Sequence, residues 1–379
     1  MKPTVVMLLS NPLAPDPRVH KEAAFLADRG FNVTVYAWDR QAEHVRCEET
    51  DGFVIQRIPV RSTYGNWLKQ MVPLVKFAHR VASLCAEADI LHVHDLEMLP
   101  VGLYLARKLA VPVIFDAHEP TYFADARRLR NIAIWAGRLG ERLLAPKAAA
   151  VLVTTSYQLQ KYSALGLGNV VAVPNYPERW LVETPMPPRD TNGITIGRIG
   201  AMPPDAGIEE LLAAAELLRP EFPQLQVFLA GNVFPGYLPR LQEKVKSCQV
   251  RLTFIPQAYN YQDLPQYYRE LDICVMPQKP TRWFQHITPV KFFEAMAFGK
   301  PIVTTAIGDI GGVMAQERCG TIIAEVTAEG IAEALRPLLA DCQLRRQMGT
   351  NAREAVKKRY NWDVATARLH EVYKQLLGI

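Results

Sequence analysis

Short, wholly apolar runs alternate with segments of helical spacing along this chain of 379 residues, and a proline-rich stretch divides the alternation into two series. A continuous apolar strand has no polar side to show to water, so the sheet it joins must be covered on both faces. Helices alternating with such strands supply the cover, and the strands then run parallel. The first series predicts strands at Thr4–Leu9, Asn32–Ala37, Phe53–Val60, Ile90–His94, Pro112–Phe115, Ala150–Thr154 and Val170–Val173. Helices are expected at Arg18–Asp28, which stops at Gly30, around Trp67–Glu87, at Leu99–Leu109 and within Arg127–Leu144. Pro177, Pro185, Pro187 and Pro188 then mark a linker. Beyond it, strands are expected at Ile194–Ile199, Leu225–Ala230, Val250–Ile255, Ile273–Met276 and Pro301–Thr304. The intervening helices are Gly207–Leu218, Tyr237–Ser247, Asp263–Leu271 and Val290–Phe298. The fold class is therefore α/β, with two doubly wound domains over residues 1–178 and 179–359. Ligands of such sheets sit at the carboxyl ends of the strands, which makes the cleft between the domains the expected site.

Several classes are excluded early. Hydrophobic residues make up 49% and charged residues 21%, the balance of a soluble globular protein rather than a disordered one. Apolar runs such as Ala148–Val153 fall well short of the roughly 20 residues a spanning helix needs. The N-terminus reaches Ser10-Asn11-Pro12 too soon for a secretory signal and reads as a strand. Six cysteines without a Cys-x-x-Cys pair suit reduced thiols in the cytoplasm. No Gly-x-Gly-x-x-Gly follows the first strand and no Gly-Lys-Ser/Thr occurs, which argues against hydride transfer and ATP hydrolysis.

The net charge of +5 is carried mostly by residues 1–180. Between Gly52 and Ala86 there is no acid, while Arg57, Arg61, Lys69, Lys76 and Arg80 interleave with Trp67, Leu68, Met71, Leu74, Val75 and Phe77. Arg127, Arg128, Arg130, Arg138, Arg142 and Lys147 cluster around Trp135. Two readings stand: a basic amphipathic surface resting on anionic lipid, or a solvated helix face with its apolar side in the core.

The segment Ile287 to Pro301 carries the most chemistry. Pro289 suits a first helical turn, and Gly299 with Pro301 closes the helix. Its free N–H groups and positive dipole end suit a phosphate. Glu294 lies one turn inside among Phe292, Phe293, Ala295 and Met296, where a buried carboxylate needs donors; sugar hydroxyls would serve.

This stretch resembles the signature of the retaining GT-B glycosyltransferases of the group 1, or family 4, type. Other landmarks match in order: Asp16-Pro17-Arg18-Val19 with Lys21-Glu22, Leu91-His92-Val93-His94-Asp95, Phe115-Asp116-Ala117-His118-Glu119, Pro174-Asn175-Tyr176-Pro177, Gly197-Arg198-Ile199 and Leu229-Ala230-Gly231. The resemblance implies two Rossmann-like domains, the first binding the acceptor and the second a nucleotide sugar, with a return helix over residues 360–379 packed on the first. It implies that Arg198 contacts the donor diphosphate, that Glu294 holds the ribose and that His118 reaches the donor sugar. Thr288, His286 and Lys291 join the donor site; Arg18, Lys21, Asp116 and Glu119 are candidates for the acceptor. Metal-independent transfer with retention of configuration follows, with no cofactor, a UDP-sugar as donor and a hydroxyl acceptor such as a lipid-linked saccharide of bacterial surface polysaccharide. The expected location is cytoplasmic, peripheral on the inner face of the plasma membrane, with no nucleic acid as partner.

Two positions depart from the family's pattern. His286 stands where a Glu eight residues before the ribose Glu is common, and Ala206 stands where a basic residue precedes Gly207. Lys291, one turn before Glu294, is placed to supply the missing cation. His92 and His94 end a strand, so one of them should face inward, in a structural rather than a catalytic role. Lys21 and Glu22 read equally as an exposed ion pair or as acceptor ligands. Tyr259, Tyr261, Tyr267 and Tyr268 read as packing. A noncatalytic binding or scaffolding protein of the same fold, a nucleotide-sugar epimerase and a glycoside hydrolase using Asp116 and Glu119 stay open as rivals.

Overall fold

The computed structural model describes residues 2–14, 16–63, 67–118, 128–186, 193–281 and 284–379. It divides into two compact units, Met1–Pro174 with Ala365–Ile379, and Asn175–Val364.

The first unit contains β1 (Thr4–Leu9), α1 (Pro17–Asp28), β2 (Asn32–Asp39), β3 (Cys47–Thr50), β4 (Phe53–Pro59), α2 (Trp67–Leu84) and β5 (Ile90–His94). It continues through α3 (Asp95–Leu109), β6 (Val113–Ala117), α4 (Arg128–Leu144), β7 (Ala150–Val153), α5 (Ser156–Ser163) and β8 (Val170–Ala172). Its sheet has the order β3-β4-β2-β1-β5-β6-β7-β8. Every pair is parallel except the hairpin of β3 with β4. Every residue of β5, β6 and β7 is buried, as a sheet covered on both faces demands. Trp38 stacks on Phe77 with ring centroids 5.5 Å apart, in one buried cluster with Val81, Met98 and Leu105. The edge strand β3 is polar and exposed, so it carries no apolar signal.

The second unit begins with α6 (Arg179–Glu183), β9 (Ile194–Ile199), α7 (Ile208–Leu218), β10 (Leu225–Ala230), α8 (Leu238–Ser247), β11 (Arg251–Ile255) and α9 (Leu264–Arg269). Then come β12 (Ile273–Met276), α10 (Val290–Ala297), β13 (Ile302–Thr304), α11 (Ile310–Glu317), β14 (Gly320–Ile322), α12 (Ala328–Ala340) and α13 (Cys342–Lys358). Its six strands run parallel in the order β11-β10-β9-β12-β13-β14. Two apolar clusters build its core, one around Phe292, Met296 and Tyr268 and the other around Leu211, Leu229 and Leu335.

The proline-rich stretch is more than a linker. Leu181 and Val182 of α6 are buried in the second unit, and Arg353 Nη2 donates to the carbonyls of Val182 and Thr184 at 2.7 and 2.8 Å. Pro187 and Pro188 lie outside the described residues. The last helix, α14 (Trp362–Leu377), starts in the second unit, and from Ala365 onward it belongs to the first. There Leu369, Val372 and Tyr373 are buried.

Candidate functional site

In the first unit the strand order reverses direction at β1, whose neighbours are β2 and β5, and polar residues gather at the carboxyl ends around that point. Helix α1 starts at Pro17, with the side chain of Asp16 accepting from the N–H of Val19. That start places Arg18 and Glu22 one turn apart on a buried face. Arg18 donates from Nε and Nη2 to the two oxygens of Asp116 at 3.0 and 3.1 Å, and from Nη1 to the carbonyl of Val173 at 2.9 Å. Its Nη2 also lies 2.9 Å from Glu22 Oε1.

Asp116, near the end of β6, is the hub. Its Oδ2 meets Nδ1 of both His94 and His118 at 3.2 Å. Burial alone would raise its pKa, but Arg18 and His118 hold it well below the usual carboxylate range. Burial alone would lower His118, yet Asp95 and Asp116 outweigh it and hold the ring up at about 10, a cation at neutral pH. Asp95 lies with Oδ2 3.7 Å from His118 Nε2 and adopts a positive φ of 62°, a conformation Asp tolerates better than most residues. His94 is pushed down by burial against the pull of Asp116, and His92 lies well below its ordinary value through burial and the neighbouring His94. Glu22 is raised by burial to about 8, because Arg18, shared with Asp116, balances it only in part.

These contacts revise several expectations. Arg18 and Asp116, both expected at the acceptor, are interior and pair with each other, and Asp116 also meets Nδ1 of His118. Glu22 is fully buried and pairs with Arg18, not with Lys21, which is half-buried. Both His92 and His94 face inward, with rings 4.4 Å apart, because residues two apart on a strand share a face. Glu119 lies outside the described residues.

In the second unit Arg198 projects from β9, the strand whose neighbours β10 and β12 mark the reversal of this sheet. It is only 5% exposed. Its Nη2 donates to the carbonyl of Ala201 at 3.2 Å, and its Nη1 is 3.3 Å from the Gln278 amide oxygen in the orientation that satisfies that amide. Among the described residues no carboxylate pairs with it, and burial lowers its pKa from the usual arginine value. The guanidinium stays charged, as arginine does in proteins.

Glu294, buried on α10, receives Lys291 Nζ at 2.9 and 3.2 Å on its two oxygens. Lys291 also lies over the Tyr259 ring at 5.4 Å and packs on Gly200, where a Cβ would come within 3.1 Å of its Cγ. Tyr259 and Tyr268 feel both Arg198 and Glu294 electrostatically, so one neighbourhood joins these residues. Tyr268 is buried and stacks on Phe298 at 4.7 Å, which fits packing. Thr288, just before α10, accepts from the N–H of Asp309 at 3.0 Å and donates to its Oδ2 at 3.2 Å. His286 is half-buried in a single turn of 3-10 helix before Thr288. Gly207, with φ 72°, passes so close to Pro277 that a Cβ would lie 2.0 Å from its carbonyl oxygen. Ala206 is fully buried, in the same apolar cluster as Met202 and Ile208. Among the described residues, Lys291 is the cation that pairs with the Glu294 carboxylate.

Two family models match the chain: the glycosyl transferase 4-like domain over residues 15–176 and the glycosyl transferases group 1 over residues 185–355. Phosphatidyl-myo-inositol mannosyltransferase of Mycolicibacterium smegmatis is 24% identical, covering 76% of this chain and 72% of its own. Glycogen synthase of Mycobacterium tuberculosis is 22% identical over 94% of this chain and 89% of its own. Among solved structures, sucrose-phosphate synthase from Thermosynechococcus elongatus superposes with a TM-score of 0.78 at 21% identity, covering 99% of both chains. Anabaena HepE in complex with UDP superposes with a TM-score of 0.72 at 15% identity, over 99% of this chain and 100% of its own. Both structural likenesses concern the GT-B fold.

Proposed function

Because the chain belongs to the glycosyl transferases of group 1, we propose that it moves a sugar from a nucleotide diphosphate donor, UDP-linked, to a hydroxyl acceptor with retention of anomeric configuration. The observation that carries this reading is Arg198: a buried guanidinium without a carboxylate among the described residues, in the neighbourhood of Glu294 and Lys291. A buried unpaired cation is costly, and a diphosphate would offset that cost. The HepE structure with UDP supports the choice of nucleotide.

Departure of a nucleoside diphosphate builds negative charge on the leaving oxygen. Arg198, Lys291 and the N-terminal N–H groups of α10 stabilise it electrostatically, so the transfer step runs without a metal at the donor. Glu294 accepts from the ribose hydroxyls in place of Lys291, whose ammonium then turns to the phosphates. His118, cationic and oriented by Asp116, donates to the donor sugar. The acceptor proton passes to the leaving phosphate on the same face, which accounts for retention.

The acceptor in this proposal is a lipid-linked saccharide of a bacterial surface polysaccharide, reached from the cytoplasmic face of the membrane. Among the described residues no helix is long and apolar enough to cross a membrane. Support for a peripheral contact comes from α2, where Met71, Val72 and Val75 are exposed among Lys69, Lys76 and Arg80. On α4, Trp135 is 65% exposed beside Leu139, Leu143, Arg138 and Arg142. The test is transfer from a panel of UDP-, GDP- and ADP-sugars to a polyprenyl-diphosphate saccharide, read by mass spectrometry, with the product anomer assigned by NMR. Transfer from a UDP-sugar with retention is expected. Transfer with inversion, donor turnover without acceptor, or no turnover of any nucleotide sugar overturns the reading.

A further inference from the structure

We propose that Glu22, His92 and His94 form a binding site in the first unit for one divalent transition-metal ion of the zinc class, a structural ion that plays no part in the sugar transfer described above. The three side chains reach one point from two elements: Glu22 from α1 and the two histidines from a shared face of β5. All three are fully buried. Glu22 Oε2 and Nε2 of both histidines lack a hydrogen-bond partner among the described residues, while Glu22 Oε1 faces Arg18 Nη2 at 2.9 Å. Glu22 Oε2 lies 3.8 Å from His92 Nε2. One ligand atom from each of these residues and from Asp116 falls within 4.8 Å of the others. Ligand atoms about 2.0–2.1 Å from a tetrahedral zinc are roughly 3.4 Å apart, so closing on an ion asks for small side-chain shifts.

The far side of each imidazole is arranged as a metal ligand's would be. His94 Nδ1 faces Asp116 Oδ2 at 3.2 Å, and an ionised carboxylate only accepts, so the proton of neutral His94 is on Nδ1 and Nε2 presents a lone pair. His92 Nδ1 is held by the Tyr373 hydroxyl at 2.8 Å, which accepts from it in the ion-bound form. Metal binding displaces the proton that burial favours on Glu22, and in that ionised state three acceptors converge. A single water has two hydrogens and leaves one of them unsatisfied, whereas a cation satisfies all three.

Charge points the same way. Among the described residues, the carboxylates of Asp16, Glu22, Asp95 and Asp116 act on the buried cluster, with Arg18 and His118 opposing them. A divalent ion restores the balance. Two imidazoles and a carboxylate without a thiolate suit zinc, iron(II), cobalt(II) or nickel(II) rather than magnesium or calcium.

The test uses the full chain, without a histidine tag, from cells grown with added zinc and purified without chelators. Elemental analysis is expected to find about one equivalent of metal. After stripping with dipicolinate, cobalt(II) should give the visible d–d bands of a nitrogen- and oxygen-ligated ion, free of thiolate charge transfer, and should raise the melting temperature. His92→Gln and Glu22→Gln should lose the bands while keeping the far-ultraviolet circular dichroism of the parent. If a variant fails to fold, the cobalt titration of the stripped parent still decides. Metal content equal to that of the buffer with no d–d band overturns the proposal, and so do bands that carry thiolate charge transfer from Cys47 or Cys342, the exposed cysteines.

Discussion

Arg18 grips Asp116 with two hydrogen bonds of 3.0 and 3.1 Å across 98 positions of sequence, fastening the first turn of α1 to the end of β6. Through the same carboxylate the pair fixes His118, so the candidate sugar-contacting ring depends on a residue that need not touch substrate.

Asp116→Asn removes the whole negative charge facing the buried Arg18 guanidinium and sets an NH2 donor against one of its N–H groups, leaving Glu22 as its close carboxylate partner among the described residues. Loss of one member of a buried ion pair costs about 3–5 kcal/mol, which chemical denaturation will register. The same variant should lower the pKa of His118, measured by NMR of its ring protons. An unmoved His118 titration would show that Asp116 does not position it.

Arg198→Ala removes the cation proposed to stabilise the departing diphosphate. A fall in kcat of about 10²- to 10³-fold is expected, on the scale of losing one preorganised oxyanion donor. The fold should survive, since among the described residues this arginine has no carboxylate partner to strand. Equal kcat in parent and variant would remove Arg198 from the chemistry.

Glu294 and Lys291 should separate by ligand. Glu294→Gln weakens binding of nucleosides that carry the ribose, by about ten- to a hundredfold if a charged hydrogen bond worth 1.5–3 kcal/mol is lost. Lys291→Met should weaken nucleoside diphosphates more than nucleosides. The pattern is read by titration calorimetry with uridine and UDP, and an identical effect of both variants on both ligands contradicts the assignment.

His118 is raised from an ordinary 6.5 to about 10 in the folded chain. The folded state therefore binds this proton more tightly than the unfolded state does. Its contribution to stability is fully present below pH 6.5 and is lost as pH rises through about 10. His118→Gln should flatten that part of the stability–pH curve. Asp116 works in the opposite direction: held below its ordinary value, it contributes above that value and the contribution fades as pH falls into the acid range.

Vesicle flotation tests the exposed apolar and basic residues of α2 and α4. Binding to vesicles containing phosphatidylglycerol, weakened by Trp135→Glu and by added salt, is the expected outcome. Absence from both anionic and neutral vesicles would make these faces ordinary solvated surface.

Much of the scaffold was legible because its strands are continuously apolar: β1, β5, β9, β10 and β12 fall where the pattern places them, to the residue. The polar edge strand β3 and the five-residue α6 within the proline-rich stretch were hidden, the first because nothing covers its exposed face, the second because one helical turn has no period to detect. Site residues were partly legible. Motif order singled out Arg18, Asp116, His118, Arg198, Lys291 and Glu294 as candidates, but long-range pairing is not written in local sequence. The separation of 98 residues between Arg18 and Asp116 conceals that they spend their charges on each other. The shared face of His92 and His94 was available from the two-residue period of a strand. That Ala206 is fully buried in the apolar cluster of Met202 required the structure.

Titration of the chain with UDP, alongside Glu294→Ala, tests the central claim most directly: that the second unit holds a nucleotide diphosphate through Arg198, Lys291 and Glu294. At 100 times its dissociation constant a ligand adds about 2.7 kcal/mol of stability, a rise of several degrees in melting temperature. The account predicts that rise with UDP, a smaller one with uridine and, in Glu294→Ala at the same concentration, no more than about half of it. A parent protein indifferent to every nucleoside diphosphate, or a Glu294→Ala variant that responds as the parent does, would contradict it.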